Sequence, residues 1–201
     1  PGMRIDLILD PEGTPGSRFS IDDSFYEGLE FALTDVVYSD APLRADPLTT
    51  PIALPPNPIP EPQAETSTRH EVVFGGGMMG SSASGKMDWT VNGVAASGHN
   101  LEPVLTLPRG ESVILTLCNE TAWWHPIHLH GHSFRVLSRN GKPTRYREWQ
   151  DTVLTAPHEI VEVAFVADNP GDWAFHCHLL MHMHAGMFNV VTVRPMEGAA
   201  S

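Results

Sequence analysis

The chain has 201 residues, 41% of them hydrophobic, and sets 12 Lys and Arg against 24 Asp and Glu for a formal net charge of -12. That length allows one full domain plus part of another, and the apolar share suffices for a packed core. So acidic a balance argues against a nucleic-acid partner, whose phosphates require a basic surface, and no apolar run approaches the ~20 residues of a membrane helix.

Residues 1–40 hold short alternating runs at 4–9 and 30–38, broken by Gly and Pro, and read as the end of a β domain. Residues 41–62 carry eight of the 18 prolines, so 41–67 is expected to be an extended linker. Alternation resumes at 70–74. Glycines at 75–77 and the Ser/Gly tract at 81–85 then predict a flexible excursion, and Asn92-Gly93 a tight turn. Strands follow at 112–118, 133–138, 151–155, 159–166, 172–175 and 188–193, with one helical turn around 179–184. This spacing reads as an all-β antiparallel sandwich over residues 68–196, ending in a short tail at 197–201.

Eight of the 11 histidines fall in two windows. The first is His125-Pro126-Ile127-His128-Leu129-His130-Gly131-His132. The second is His176-Cys177-His178, followed by His182, His184 and Met187. Neutral imidazole and thiolate are copper and zinc ligands. On a strand, alternate side chains share a face. His128 and His130 therefore point one way and His125 can point the other; His176 and His178 likewise oppose Cys177. If the two strings are neighbouring strands, one face gathers His128, His130, His176 and His178. The other gathers His125 and Cys177, and a chain reversal can add His182 and Met187. Two imidazoles, a thiolate and a long axial thioether form the blue-copper electron-transfer arrangement.

At these residues the chain resembles the multicopper oxidases, the family of laccases and copper-resistance oxidases. The strings His-Pro-x-His-Leu-His-Gly and His-Cys-His-x3-His-x4-Met occur in family order, over the family's last cupredoxin domain. The resemblance implies a cupredoxin Greek key and a type 1 copper on His125, Cys177, His182 and axial Met187. It implies that His128 binds a type 2 copper and that His130, His176 and His178 bind a type 3 pair. It further implies that electrons enter at His182, pass through Cys177 to His176 and His178, and reduce dioxygen to water. The stretch from Leu179 to Met187 looks most like the Gram-negative copper-resistance branch, which suggests a periplasmic or secreted protein. The family completes its trinuclear cluster with four more histidines in two His-x-His pairs of its first domain. His70, His99 and His158 are isolated and do not form such pairs. The first residues, Pro1-Gly2-Met3-Arg4-Ile5-Asp6, resemble a Pro-Gly-x-Arg-x-Asp segment late in the family's second domain. Residues 1–40 are thus expected to be a remnant of a preceding domain, and the partner an N-terminal part of the same oxidase. The expected reductants are phenols, aromatic amines or Cu(I). The competing readings are a stand-alone blue-copper carrier and a copper-binding or copper-tolerance protein.

Several residues stay open at this level. His132 shares parity with His128 and His130, but the family does not use it. His184 is expected to be exposed, and Asp151 to orient an imidazole or to hold a strand end. Cys118, in an apolar run, reads as a buried small hydrophobe, with a disulfide to the expected N-terminal part as the alternative. Met181 and Met183 flank His182, where many bacterial members of the resembled family carry acidic residues. With Met78, Met79 and Met87 they suggest a Cu(I) patch or adaptable packing.

Overall fold

The computed structural model describes residues 2–9, 11–42, 44, 46, 48–50, 52–77, 88–97 and 102–195. Contacts divide the chain into Asp6–Asn57 and a larger unit made of Pro1–Ile5 with Pro58–Ser201. In the smaller unit β1 (Arg18–Asp23) and β2 (Phe31–Val37) form an antiparallel hairpin. The strand expected at residues 4–9 does not form: alternation needs a neighbouring strand to become a ladder, and the described residues supply none there.

The larger unit continues with β3 (Thr68–Gly76), β4 (Trp89–Val91), β5 (Leu105–Pro108), β6 (Ser112–Asn119), β7 (His125–Leu129) and β8 (Phe134–Arg139). Then come β9 (Lys142–Pro143), β10 (Trp149–Gln150), β11 (Thr152–Thr155), β12 (Ile160–Val166), β13 (Gly171–Cys177), α1 (Leu180–His184) and β14 (Phe188–Arg194). One sheet runs β10–β8–β12–β6–β3–β4, with β9 also on β8; the other runs β11–β7–β13–β14–β5. The expected all-β, cupredoxin-like sandwich is therefore present, with one departure. The β3–β6 and β14–β5 pairs are parallel, because connections that cross between sheets return these strands in the same direction. Gly75 and Gly76, expected in a loop, belong to β3; residues 81–85 lie outside the described residues.

Period-2 alternation builds the core. Val113, Leu115 and Leu117 of β6, Val161, Val163 and Phe165 of β12, and Ile127 and Leu129 of β7 are all buried in one cluster. Each such side chain contributes about 1.5–3 kcal/mol by leaving water. Cys177 and Met187 belong to the same cluster. After β13 the chain makes the single turn α1 and comes back, with the Met187 N–H bonded to the His182 carbonyl (3.0 Å) and the Cys177 N–H to the Met187 carbonyl (3.1 Å). Gly186 permits that return at φ 115, since a Cβ there would lie 2.5 Å from the Trp89 carbonyl oxygen.

Candidate metal centres on two faces of one sheet

β7 and β13 are antiparallel neighbours with His176 opposite His128 and Cys177 opposite Ile127. His125, Ile127 and Leu129 point into the sandwich and are fully buried. His128 and His130 point outward, half-buried and exposed. Cys177 faces inward, and His176 and His178 lie on the imidazole side.

On the inner face Cys177 Sγ lies 3.7 Å from His125 Nδ1 and 3.7 Å from His182 Nδ1, and the two nitrogens are 3.1 Å apart. The circle through these atoms has a radius of about 2 Å, close to the ~2.0–2.1 Å of a metal–imidazole bond and slightly under the ~2.3 Å of metal–thiolate. The residues present thus fit a metal of soft-to-borderline character. Burial, helped by the nearby His182, lowers His125 to about 3. Burial also lowers His182 and raises the Cys177 thiol to about 11. Both rings are therefore neutral donors at pH 7, while the thiol must lose its proton to a bound ion.

Two supports were not visible in the sequence. His125 Nε2, the nitrogen away from Cys177, lies 2.7 Å from Thr121 Oγ1, which donates in turn to Asn119 Oδ1 at 2.8 Å. Asn119 Nδ2 donates to the carbonyls of Trp123 (2.7 Å) and Ala156 (2.8 Å). With Nδ1 kept free for an ion, Nε2–H donates to Thr121. Trp89, buried, lies over His182 at a ring-centroid distance of 4.2 Å and edge-on to His125 at 5.0 Å. Trp123, whose ring lies 6.5 Å from that of His182, is exposed, as are Trp124 and Met181.

On the outer face His130 Nε2 and His176 Nε2 are 3.0 Å apart. An ion ~2.0–2.1 Å from both would close an angle of about 95°, ordinary for a shared metal. His176 Nδ1 lies 3.0 Å from the Cys177 carbonyl, and His128 Nδ1 lies 2.8 Å from the Asp151 carbonyl. In each, Nδ1–H donates and Nε2 remains for an ion. The rings of His128 and His178 are 5.6 Å apart. Burial lowers His128, His130 and His176, and neighbouring imidazoles add to the effect.

The multicopper oxidase family model matches residues 75–197, more than half of the chain. The chain belongs to the multicopper oxidase family. Multicopper oxidase MmcO of Mycobacterium tuberculosis is 41% identical over 102 residues, covering 51% of this chain and 19% of that protein. Copper resistance protein A of Escherichia coli is 40% identical over 108 residues, 54% of this chain and 17% of that protein. The crystal structure of a multi-copper oxidase from Pseudomonas thermotolerans superposes with a TM-score of 0.70 at 28% identity, covering 90% of this chain and 41% of that one. The matched stretch spans less than a fifth of these curated relatives.

As in the family at large, copper is the cofactor of this multicopper oxidase chain. His132 does not join the other imidazoles. Gly131, at φ 70, turns the chain out of the strand, and His132 packs against Phe165 and Trp173 at 5.2 and 5.9 Å. His184 is exposed, as expected. Asp151 touches His128 through its backbone carbonyl, with its carboxylate Oδ1 3.8 Å away. Cys118 is free and only half-buried, not a core residue, because it alternates outward on β6, where burial and then the neighbouring Glu71 raise its thiol. His70 stands on β3 of the other sheet and His158 on an exposed turn. His99, Met78, Met79 and Met87 lie outside the described residues.

Proposed function

We propose that this chain is the C-terminal part of a laccase-like multicopper oxidase, with type 1 copper held by His125, Cys177, His182 and axial Met187. In this reading His128 serves the type 2 copper and His130, His176 and His178 the type 3 pair. The observation that carries it is Cys177, whose sulfur faces one donor set while its chain neighbours face another. Bound copper supplies one-electron oxidation on the inner side and dioxygen reduction to water on the outer side. His182, half-buried at the edge of the site, offers the reductant its nearest ring. Cys177 and the two peptide links to His176 and His178 form the covalent path between faces. Trp89 and Thr121 hold the His182 and His125 rings.

Four imidazoles are half of the donors such a cluster uses, and His70 and His158 stand away from the outer face. We take the remainder from an N-terminal part of the same oxidase. On this view residues 1–40 are the end of its preceding domain, 41–67 a linker and 68–196 the copper domain. The hairpin β1–β2 supports this: Phe19, Phe31, Leu33 and Val37 are all more than half exposed, and two strands alone are marginal in water. The exposed indoles suit a phenol or aromatic amine, and the Met181 thioether suits Cu(I). The resemblance to the copper-resistance branch supports a periplasmic or secreted protein. No described helix is long and apolar enough to cross a membrane.

Copper content, visible absorption and oxygen uptake of the purified chain, with and without its N-terminal part, test the reading. Four coppers and oxygen uptake only in the combined protein are expected. One copper, blue colour and no uptake in either form would identify an electron carrier instead.

A further inference from the structure

Residues 2–5 pack with the copper-binding unit, although residues 6–57 form a unit of their own. Two of them reach the imidazole face. Gly2, at φ 75, lies against His178: a Cβ there would stand 2.6 Å from ring Cδ2 and 2.9 Å from Nε2. Arg4 donates from Nη2 to Asp151 Oδ2 and from Nη1 to the Gly2 carbonyl at 3.0 Å, which ties the two contacts together. Asp151 is the residue behind His128. Its carbonyl accepts from His128 Nδ1, and its Oδ1 accepts from Thr152 Oγ1 at 2.9 Å, a hydroxyl itself 2.9 Å from His128 Nδ1.

We propose that Arg4 and Gly2 are positioning residues for the outer metal site, a clamp that sets the rings of His128 and His178. The proposal rests on reading those two rings as metal ligands. The guanidinium fork suits a carboxylate and holds Asp151 Oδ2 away from His128. Without it the carboxylate is free to replace the backbone carbonyl as acceptor for Nδ1–H, which makes the ring more basic and turns it. Gly2 sets the other ring by contact: its bare backbone forms the wall against which His178 rests, and no larger residue fits without moving the ring.

The test uses the metal-free full chain, labelled with ¹⁵N and observed by long-range imidazole NMR, followed by titration with Zn(II) as a redox-silent probe. In Arg4→Ala the ring signals of His128 and His178 should move while those of His125, His182 and His132 stay, the last reporting an intact fold. Zn(II) binding at the outer rings should weaken about tenfold, the low end of what residues behind a ligand contribute. Arg4→Lys should restore part of it, and Gly2→Ala should move His178 alone. Unmoved His128 and His178 signals in both Arg4→Ala and Gly2→Ala would overturn the clamp. Failure of Zn(II) to reach the outer rings of the unaltered chain would instead overturn their reading as ligands, and the two failures are separately visible.

Discussion

His176 faces His128 across the β13–β7 ladder, and one residue later Cys177 faces Ile127. This single register sorts the donors of the two histidine strings, while His182 and Met187 arrive by the return through α1. Slipping it by one residue would carry Cys177 to the imidazole side and His176 into the core, since side chains alternate strictly along a strand. The register is held from both sides, by β11 on β7 and β14 on β13, so the two donor sets cannot move independently.

Met187 is fully buried in the cluster that holds Cys177. Met187→Leu conserves volume and should cost under about 1.5 kcal/mol of stability. Removal of a weak axial thioether should raise the potential of the bound copper. Redox titration of the copper-loaded variant checks this, and an unchanged potential would show that Met187 is packing rather than ligand.

Thr121 is the sole hydrogen-bond partner found for His125 Nε2 among the described residues. Thr121→Val leaves a buried N–H unpaired, at a cost of about 1–3 kcal/mol. It should also weaken copper binding roughly 10–100-fold through loss of ring orientation. Thermal denaturation of the metal-free chain and a competitive copper titration measure the two effects. Wild-type affinity in the variant would mean that packing under Trp89 alone fixes the ring.

Gly131 ends the first histidine string at φ 70, and a Cβ there would fall 2.3 Å from the Trp173 ring. Gly131→Ala combines a left-handed backbone with a clash, and should destabilise by more than about 2 kcal/mol. Urea unfolding reads it directly. A midpoint equal to that of the parent chain would contradict the turn geometry.

The metal-free chain should be most stable between about pH 6.5 and 9. Burial lowers His125 to about 3 from the ordinary imidazole value of 6.5, and lowers His128, His130, His132, His176 and His182 as well. The unfolded chain therefore binds more protons below pH 6.5, so stability falls as pH drops from there toward 3. At the other end burial raises Cys177 from 9.0 to about 11, so stability falls again as pH rises across that interval. Unfolding midpoints measured from pH 4 to 10 check both slopes; a flat profile between 7 and 4 would show that the buried rings carry no such penalty.

Much of this was legible because strand parity is a local property. It separates His125 from His128 and His130, and Cys177 from its neighbours, without reference to any long-range contact. Parity misled only where the strand stops. His132 matched the outer set by count, yet Gly131 redirects the chain before it. Cys118 shows the converse, since its run is apolar while its outward position on β6 leaves it half-buried beside Glu71. Thr121, Asn119 and Trp89 carry no motif signal, and they meet the site only through the end of β6, the turn before β7 and β4. The parallel pairs β3–β6 and β14–β5 likewise depend on how distant strands are ordered, which no local pattern encodes.

The most direct test of the central claim is a Cu(II) titration of the purified chain followed by visible absorption, repeated in Cys177→Ser. One equivalent should develop the intense sulfur-to-copper band of a His₂Cys site, and the serine variant should bind copper without it. Copper taken up by the parent chain with no such band, or a band that survives loss of the thiol, would contradict the account.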